Sequence, residues 1–405
     1  MTSNPARAAW TAILCWLTVL LEGYDLVALG ASIPILLKGH YLGFTAAGAT
    51  AVATLSLVGV AVGAAGVGPL TDRFGRRSLL LVSVLLFSVF TLITPLAPDV
   101  TWFAGFRFIA GLGLGACMPV ALTVMSENLP ERRRASAATV TMTGYHVGAV
   151  LTSLLALVVV DDWGLLFYGG GIAGLLVLPL MWWKLPESEA FLAVKEKDQT
   201  ERLSARDLLG TRFRRTSLIV WAGSFMGLLL VYGLNTWLPK IMNAAGYPIS
   251  TSITLLLVLN AGGILGLLLA GAVADRRGIK PTAVVWFAAA AVLLLALSFR
   301  ISSNLLLNAL VLLTGLFVFS AQVLIYGYVA KTFPAEARGT ALGLASAVGR
   351  LGSILGPFVT GALVTAGIAY PWGFWFFAAV AGLGFLAILA LAPVKASDEL
   401  VKGTV

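Results

Sequence analysis

The chain has 405 residues, 59% of them apolar and 11% charged, and a mean hydropathy of +0.95. A soluble domain carries about 25% charged and about 45–50% apolar residues, so a water-soluble fold is excluded and lipid must solvate most of this surface. The net charge of +9 would point to nucleic acid in a soluble protein; here its placement along the chain gives it another meaning.

A spanning helix needs about 20 mostly apolar residues. The first such window opens near Trp10 with no small-residue cleavage site after it, so it reads as a retained helix rather than a signal peptide. Further windows begin near Ala47, Ser78, Thr101, Ala135 and Gly164. A polar stretch follows over 185–214, with Pro186, Glu187, Lys195, Glu196, Lys197, Asp198 and Arg206. It reads as a mostly cytoplasmic linker with short amphipathic helices at the membrane surface. The second set of windows begins near Arg215, Ile249, Thr282, Leu305, Gly339 and Trp372. The expectation is an all-α membrane protein of twelve transmembrane helices, divided into a six-helix bundle over 1–184, a linker over 185–214 and a second bundle over 215–405. Cys15 and Cys117 lie in apolar runs without metal-ligand spacing and read as small buried side chains.

With the N-terminus inside, the inner loops and tails hold 22 of the 27 Lys and Arg residues. The outer loops hold Lys38, Lys240 and Arg300, while Arg107 and Arg350 fall within helices. By the positive-inside rule both termini are expected in the cytoplasm, and the nucleic-acid reading falls away.

Two loops repeat at one offset. Gly68-Pro-Leu-Thr-Asp72-Arg73-Phe-Gly75-Arg76-Arg77 returns 203 residues later as Gly271-Ala-Val-Ala-Asp275-Arg276-Arg-Gly278-Ile-Lys280. Pro130 and Arg134 return 204 residues later as Pro334 and Arg338. This is an internal duplication, with parallel repeats because each half holds an even number of helices. Glu22 and Asp25 map onto Phe225 and Leu228, so the acids of the first helix are not duplicated.

These loops, with Arg107-x-x-x-Gly111-x-x-x-Gly115 in the fourth helix, resemble the major facilitator superfamily along essentially the whole chain. A narrower resemblance, to its aromatic acid:proton symporters, rests on Glu22-Gly23-Tyr24-Asp25, Asn235-Thr-Trp237-Leu-Pro239, Gln322-Val-Leu-Ile-Tyr326 and Gly349-Arg350-Leu-Gly352-Ser-Ile-Leu-Gly356-Pro357. Two departures stand out: the first acid is Glu22 where relatives often have Asp, and Val120 follows Pro119 where several relatives have Asn. The resemblance implies two pseudo-symmetric six-helix bundles. It also implies proton-driven import of an aromatic carboxylate, and proton transfer as one role for Arg107. Asp72 and Asp275 would cap helices of the opposite half near Gly339 and Ala135, and Arg73, Gly75, Arg76, Arg77, Glu127, Arg134, Arg276 and Arg338 would complete the inner gate. Plain topology is the competing account of Arg132, Arg133, Arg276 and Arg277.

A charge near mid-bilayer costs about 2.5–3.5 kcal/mol on insertion scales, so such residues face the protein interior or a wet cavity. Glu22 and Asp25 lie three apart, within reach of one helix face, and two carboxylates so close in a low dielectric resist being ionised together. Both are candidates for proton coupling, with Arg107 as either a partner or a structural counter-ion. His146 and Arg350 lie 204 apart at corresponding depths, and Arg350 can take a carboxylate by two parallel hydrogen bonds. His146 reads equally as a packing residue, and Trp237 equally as part of the interfacial aromatic belt. With Asn235, Gln322, Tyr326 and Tyr24 they complete the candidate substrate set.

The expected function is proton-coupled import of an aromatic carboxylate across the plasma membrane. Transport of another small organic anion, or export, is the alternative; Gly144-Tyr-His146-Val-Gly148 lacks the Pro that many antiporters of the superfamily carry there. A non-transporting receptor is more remote. No enzyme is expected: His40 and His146 are the two histidines, and no nucleotide loop or His-Glu-x-x-His is present. No cofactor, metal or nucleic acid is expected, and nothing in the sequence demands an oligomer, so a monomer in the bilayer is.

Overall fold

The structure, a computed structural model, describes residues 5–128, 131–159, 162–187, 208, 210, 213–333 and 335–391. Within these the side chains of 5–8, 68, 69, 71, 72, 126–139, 330 and 335–339 are not described. Most of the 185–214 stretch, and the side chains of Asp72, Glu127, Arg134 and Arg338, therefore lie outside it.

Among the described residues twelve helices are long and apolar enough to cross a membrane. They are α1 (Pro5–Lys38), α2 (Ala46–Phe74), α3 (Arg76–Ile93), α4 (Val100–Asn128), α5 (Glu131–Val158), α6 (Gly164–Lys184), α7 (Arg214–Ala244), α8 (Ile249–Arg277), α9 (Ile279–Ala296), α10 (Asn304–Thr332), α11 (Ala335–Thr365) and α12 (Ala369–Leu389). Lipid offers no hydrogen bonds, so each spanning segment must satisfy its own backbone, and a helix does this alone. Polar side chains close the free amides at several helix starts: Asp99 accepts from the N–H of Thr101 and Trp102 at 2.7 and 3.1 Å. Glu187 accepts from those of Arg76 and Arg77 at 3.0 and 3.1 Å, joining the start of the linker to α3. Val158, Leu176, Trp183 and Leu305 are largely exposed, as side chains bathed in lipid are.

Helices α1–α6 pack into one bundle and α7–α12 into another, with α1·α5 and α2·α4 matched by α7·α11 and α8·α10. Small residues make these seams, since helices in lipid associate by close backbone packing. A Cβ on Gly23 would lie 2.0 Å from the Tyr145 carbonyl oxygen, and one on Gly352 2.1 Å from that of Phe225. The turns after α2 and α8 are duplicated in detail, with Gly75 at φ 87° and Gly278 at φ 88°, a backbone region open to glycine. Gly75 thus has a structural reason for its place in the loop motif.

The bundles meet through α2·α11, α5·α8 and α1·α7. A Cβ on Gly30 would lie 2.2 Å from the Asn235 carbonyl oxygen, and one on Gly361 2.4 Å from Thr50 Oγ1. Gly30, Thr50 and Gly361 all lie toward the end opposite the α2–α3 and α8–α9 loops, so the bundles are tightly packed in that half.

Candidate functional site

The two acids of α1 go to different partners. Asp25 turns into its own bundle, where its Oδ1 accepts from Thr91 Oγ1 at 2.7 Å and from Arg107 Nη1 at 3.0 Å. Arg107 Nη1 also lies 2.9 Å from Asp25 Oδ2, and the guanidinium stands 5.7 Å from the Phe167 ring centroid. Helices α1, α3, α4 and α6 converge on this pair, and both side chains are sealed from solvent. Glu22 is equally buried, and no side chain hydrogen-bonds its carboxyl; neither oxygen has a partner of good geometry, although the Met118 backbone of α4 lies close by. Across the interface its charge interacts with that of Arg350 on α11 of the other bundle, without an ion pair between them.

Arg350 is 9% exposed. Its Nη1 donates to Tyr232 Oη at 2.8 Å, its Nε has no partner, and its charge also reaches Tyr326. Tyr145, one turn from Gly148 on α5, feels the charges of Glu22 and Arg350, and its own hydroxyl is unpartnered. Glu22, Tyr145, Tyr232, Tyr326 and Arg350 thus form a polar cluster built from α1, α5, α7, α10 and α11 of both bundles. Its unpartnered groups (a carboxyl, a phenol and a guanidinium N–H) are polar atoms left available to a small molecule, since buried polar groups are otherwise paired.

His146 belongs to a second network that crosses the same interface. Asn260 Nδ2 donates to Asn235 Oδ1 at 2.9 Å and to the Leu256 carbonyl at 3.0 Å, which turns its Oδ1 toward His146 Nδ1 at 3.1 Å. An amide oxygen only accepts, so His146 carries its proton on Nδ1. The imidazole also lies 4.6 Å, centroid to centroid, from Phe319 of α10. His146 and Arg350 thus sit in neighbouring networks with different partners.

Three other predicted site residues are engaged within their own bundles. Trp237 is fully buried and donates Nε1–H to the Pro357 carbonyl at 2.8 Å, so it braces the interior of the second bundle and takes no part in a headgroup belt. Tyr24 donates its hydroxyl to the Leu166 carbonyl at 3.0 Å. Gln322 donates Nε2–H to Ser224 Oγ at 2.9 Å, leaving Oε1 unpartnered.

At the basic end, Arg73 lies over Phe74, and Arg77 donates to the Trp182 carbonyl and stacks on its ring. Arg76 enters through its backbone N–H on Glu187. Asp275 is 81% exposed and 3.8 Å from Lys331 of its own bundle, open to solvent rather than seated as a helix cap; Arg276 is exposed beside it.

Sequence reasoning passed over Tyr145, Tyr232, Asn260 and Thr91. The two tyrosines carried a usable signal: they lie deep within their windows, whereas lipid-anchoring tyrosines gather at the interfaces.

A family model described as the Major Facilitator Superfamily matches residues 15–299 and 261–404. The chain is 33% identical to a gentisate transporter of Corynebacterium glutamicum, over 95% of this chain and 88% of the relative. It is 31% identical to a benzoate transport protein of Acinetobacter baylyi, over 94% and 88%, and 31% identical to a 3-(3-hydroxy-phenyl)propionate transporter of Escherichia coli, over 90% and 89%. In fold it is similar to a solved D-xylose-proton symporter, with a TM-score of 0.76 at 18% identity over 96% of this chain and 99% of that one. The chain is therefore a multi-pass membrane protein of the major facilitator superfamily, in its family of aromatic-acid transporters and not among enzymes.

Proposed function

We propose that this chain imports an aromatic carboxylate together with a proton across the plasma membrane by alternating access, with both termini in the cytoplasm. The observation that carries the reading is the placement of Arg350, held by Tyr232 with its Nε unpartnered, across the bundle interface from the buried carboxyl of Glu22, close enough for their charges to interact without forming an ion pair. A guanidinium takes a carboxylate by two parallel hydrogen bonds, and the aromatic walls of Tyr145, Tyr232 and Tyr326 suit a ring.

One guanidinium balances one carboxylate. While Glu22 is ionised it supplies the counter-charge to Arg350. Once a substrate anion takes the guanidinium, an ionised Glu22 would stand buried and uncompensated, at a cost of several kcal/mol, so it takes up a proton. Anion and proton binding then favour each other, and by linkage the coupling is reciprocal. Asp25 is already balanced by Arg107, which leaves the pair as a fixed brace between α1 and α4.

The basic end is the cytoplasmic one in this account. The half packed through Gly30, Thr50 and Gly361 is then the outer half, and the conformation is closed outside. The halves 1–184 and 215–405 rock about the central site, joined by the linker 185–214, and both sides of the site come from one chain, so a monomer suffices. Asp72, Arg73, Arg76, Glu127, Arg134, Asp275, Arg276 and Arg338 form the inner latch when the cytoplasmic side closes, and the exposed Asp275 belongs to the unlatched state.

The test is uptake of aromatic carboxylates into proteoliposomes under an imposed pH gradient. Accumulation above the external concentration supports the reading. Binding without accumulation contradicts it and favours a receptor.

A further inference from the structure

Beside the carboxylate cluster lies a small cavity between the bundles, walled by Leu29 and Leu57 and lined by Ser56, Tyr145, Tyr232 and Asn235. Three polar atoms of these residues are buried without a hydrogen-bond partner: Ser56 Oγ, Tyr145 Oη and Asn235 Nδ2. The side chains are 1%, 5% and 3% exposed, respectively. Other buried polar atoms of the described residues also lack a protein partner, but these three line one cavity, and buried polar groups in native interiors are nearly all paired. Three around one cavity point to a polar group that belongs there.

The chemistry of that group follows from the network behind it. The Leu256 carbonyl fixes the orientation of the Asn260 amide, and Asn260 in turn occupies Asn235 Oδ1. Asn235 is therefore left presenting an N–H donor. Ser56 and Tyr145 carry hydroxyls, each able to accept or donate. A group that accepts one hydrogen bond and donates another fits this set, as a hydroxyl does. A second carboxylate fits poorly, because no cation lines the cavity. Asn235 follows Tyr232 by three residues on α7, a rise of about 4.5 Å. Tyr232 holds Arg350, so the guanidinium and this subsite are reached from one face of α7.

We propose that the substrate carries a ring hydroxyl as well as its carboxylate, and that Asn235, Ser56 and Tyr145 form the subsite that recognises it. The proposal rests on the reading of Arg350 as the carboxylate anchor. The competing account of the three orphans is a structural water.

The experiment is equilibrium binding of 3- and 4-hydroxybenzoate and of benzoate to the purified full-length protein. It is repeated on the variants Asn235→Ala, Ser56→Ala and Arg350→Lys. The wild type should bind one hydroxybenzoate about tenfold or more tighter than benzoate. Asn235→Ala and Ser56→Ala should each reduce that preference by about two- to tenfold, the worth of one neutral hydrogen bond, read as the hydroxybenzoate-to-benzoate affinity ratio within each variant. Equal wild-type affinity for the three acids overturns the proposal. So does an equal loss for all three in the Ser56 variant, the result expected of a structural water. Arg350→Lys should weaken all three alike; if it weakens none, the anchor reading itself fails, and a wild type that binds none of them overturns both.

Discussion

Breaking the Asp25–Arg107 pair tests whether the structure has assigned the first-helix acids correctly. Both side chains are sealed from solvent, and the carboxylate takes Arg107 Nη1 at 3.0 and 2.9 Å and Thr91 Oγ1 at 2.7 Å. Replacing one member by a neutral amide side chain, Asp25→Asn or Arg107→Gln, leaves a buried charge without its counter-charge. Removing one partner of a buried pair costs about 3–5 kcal/mol, and about 1.4 kcal/mol is tenfold in an equilibrium constant, so each single variant should lose roughly two to four powers of ten in folding equilibrium. The double variant Asp25→Asn with Arg107→Gln leaves no orphan charge and should recover much of that loss. The assay is a double-mutant cycle on denaturation in detergent, which isolates the pairwise coupling. Pair and proton roles separate in one further readout, because the double variant should still accumulate substrate under a pH gradient. Single variants within about 1 kcal/mol of wild type, or a double variant whose loss equals the sum of the singles, would refute the pairing. Loss of gradient-driven uptake in a well-folded double variant would move the proton carrier from Glu22 to Asp25.

Arg350→Lys should weaken aromatic-acid binding by about tenfold or more, because a point charge replaces a planar two-pronged donor and the bond to Tyr232 is disturbed; isothermal titration reads it, and unchanged affinity removes Arg350 as the anchor. Gly23→Ala would place a Cβ 2.0 Å from the Tyr145 carbonyl oxygen, forcing α1 from α5 at about 1–3 kcal/mol. A melting temperature equal to wild type would contradict that seam. Glu187→Ala should cost about 1 kcal/mol through loss of the acceptor for two amides at the start of α3, and no change in stability would show that solvent replaces it.

The scaffold was legible because lipid leaves the backbone so few options. Twelve apolar windows became twelve helices, and the repeated loops became turns with matching positive φ at Gly75 and Gly278. The site was legible by residue type but less so by partner. Spacing alone placed Glu22 and Asp25 together, yet a separation of three residues turns two side chains by about 60° around a helix. That is enough for Asp25 to reach Arg107 inside its bundle while Glu22 looks toward Arg350. Tyr24 sits in the signature motif but is tied to the Leu166 carbonyl. Trp237 was ambiguous because Pro239 and Lys240 follow it; the Pro357 carbonyl, 120 residues away, holds it in the interior. Such partners arise from bundle assembly, which no local pattern encodes. Tyr145 and Tyr232 show the converse, since their depth was visible and their meaning emerged once α5 and α7 faced each other.

In the proposed mechanism, anion binding at Arg350 and protonation of Glu22 are coupled across the bundle interface. The most direct measurement compares wild type and Glu22→Gln in proteoliposomes holding a pH gradient of one unit at zero membrane potential. With one proton per substrate, the wild type should sustain about tenfold accumulation of a hydroxybenzoate. Glu22→Gln, locked in the neutral form, should bind and exchange the acid yet equilibrate it at a ratio of one. Gradient-driven accumulation by Glu22→Gln at the wild-type level would contradict the account.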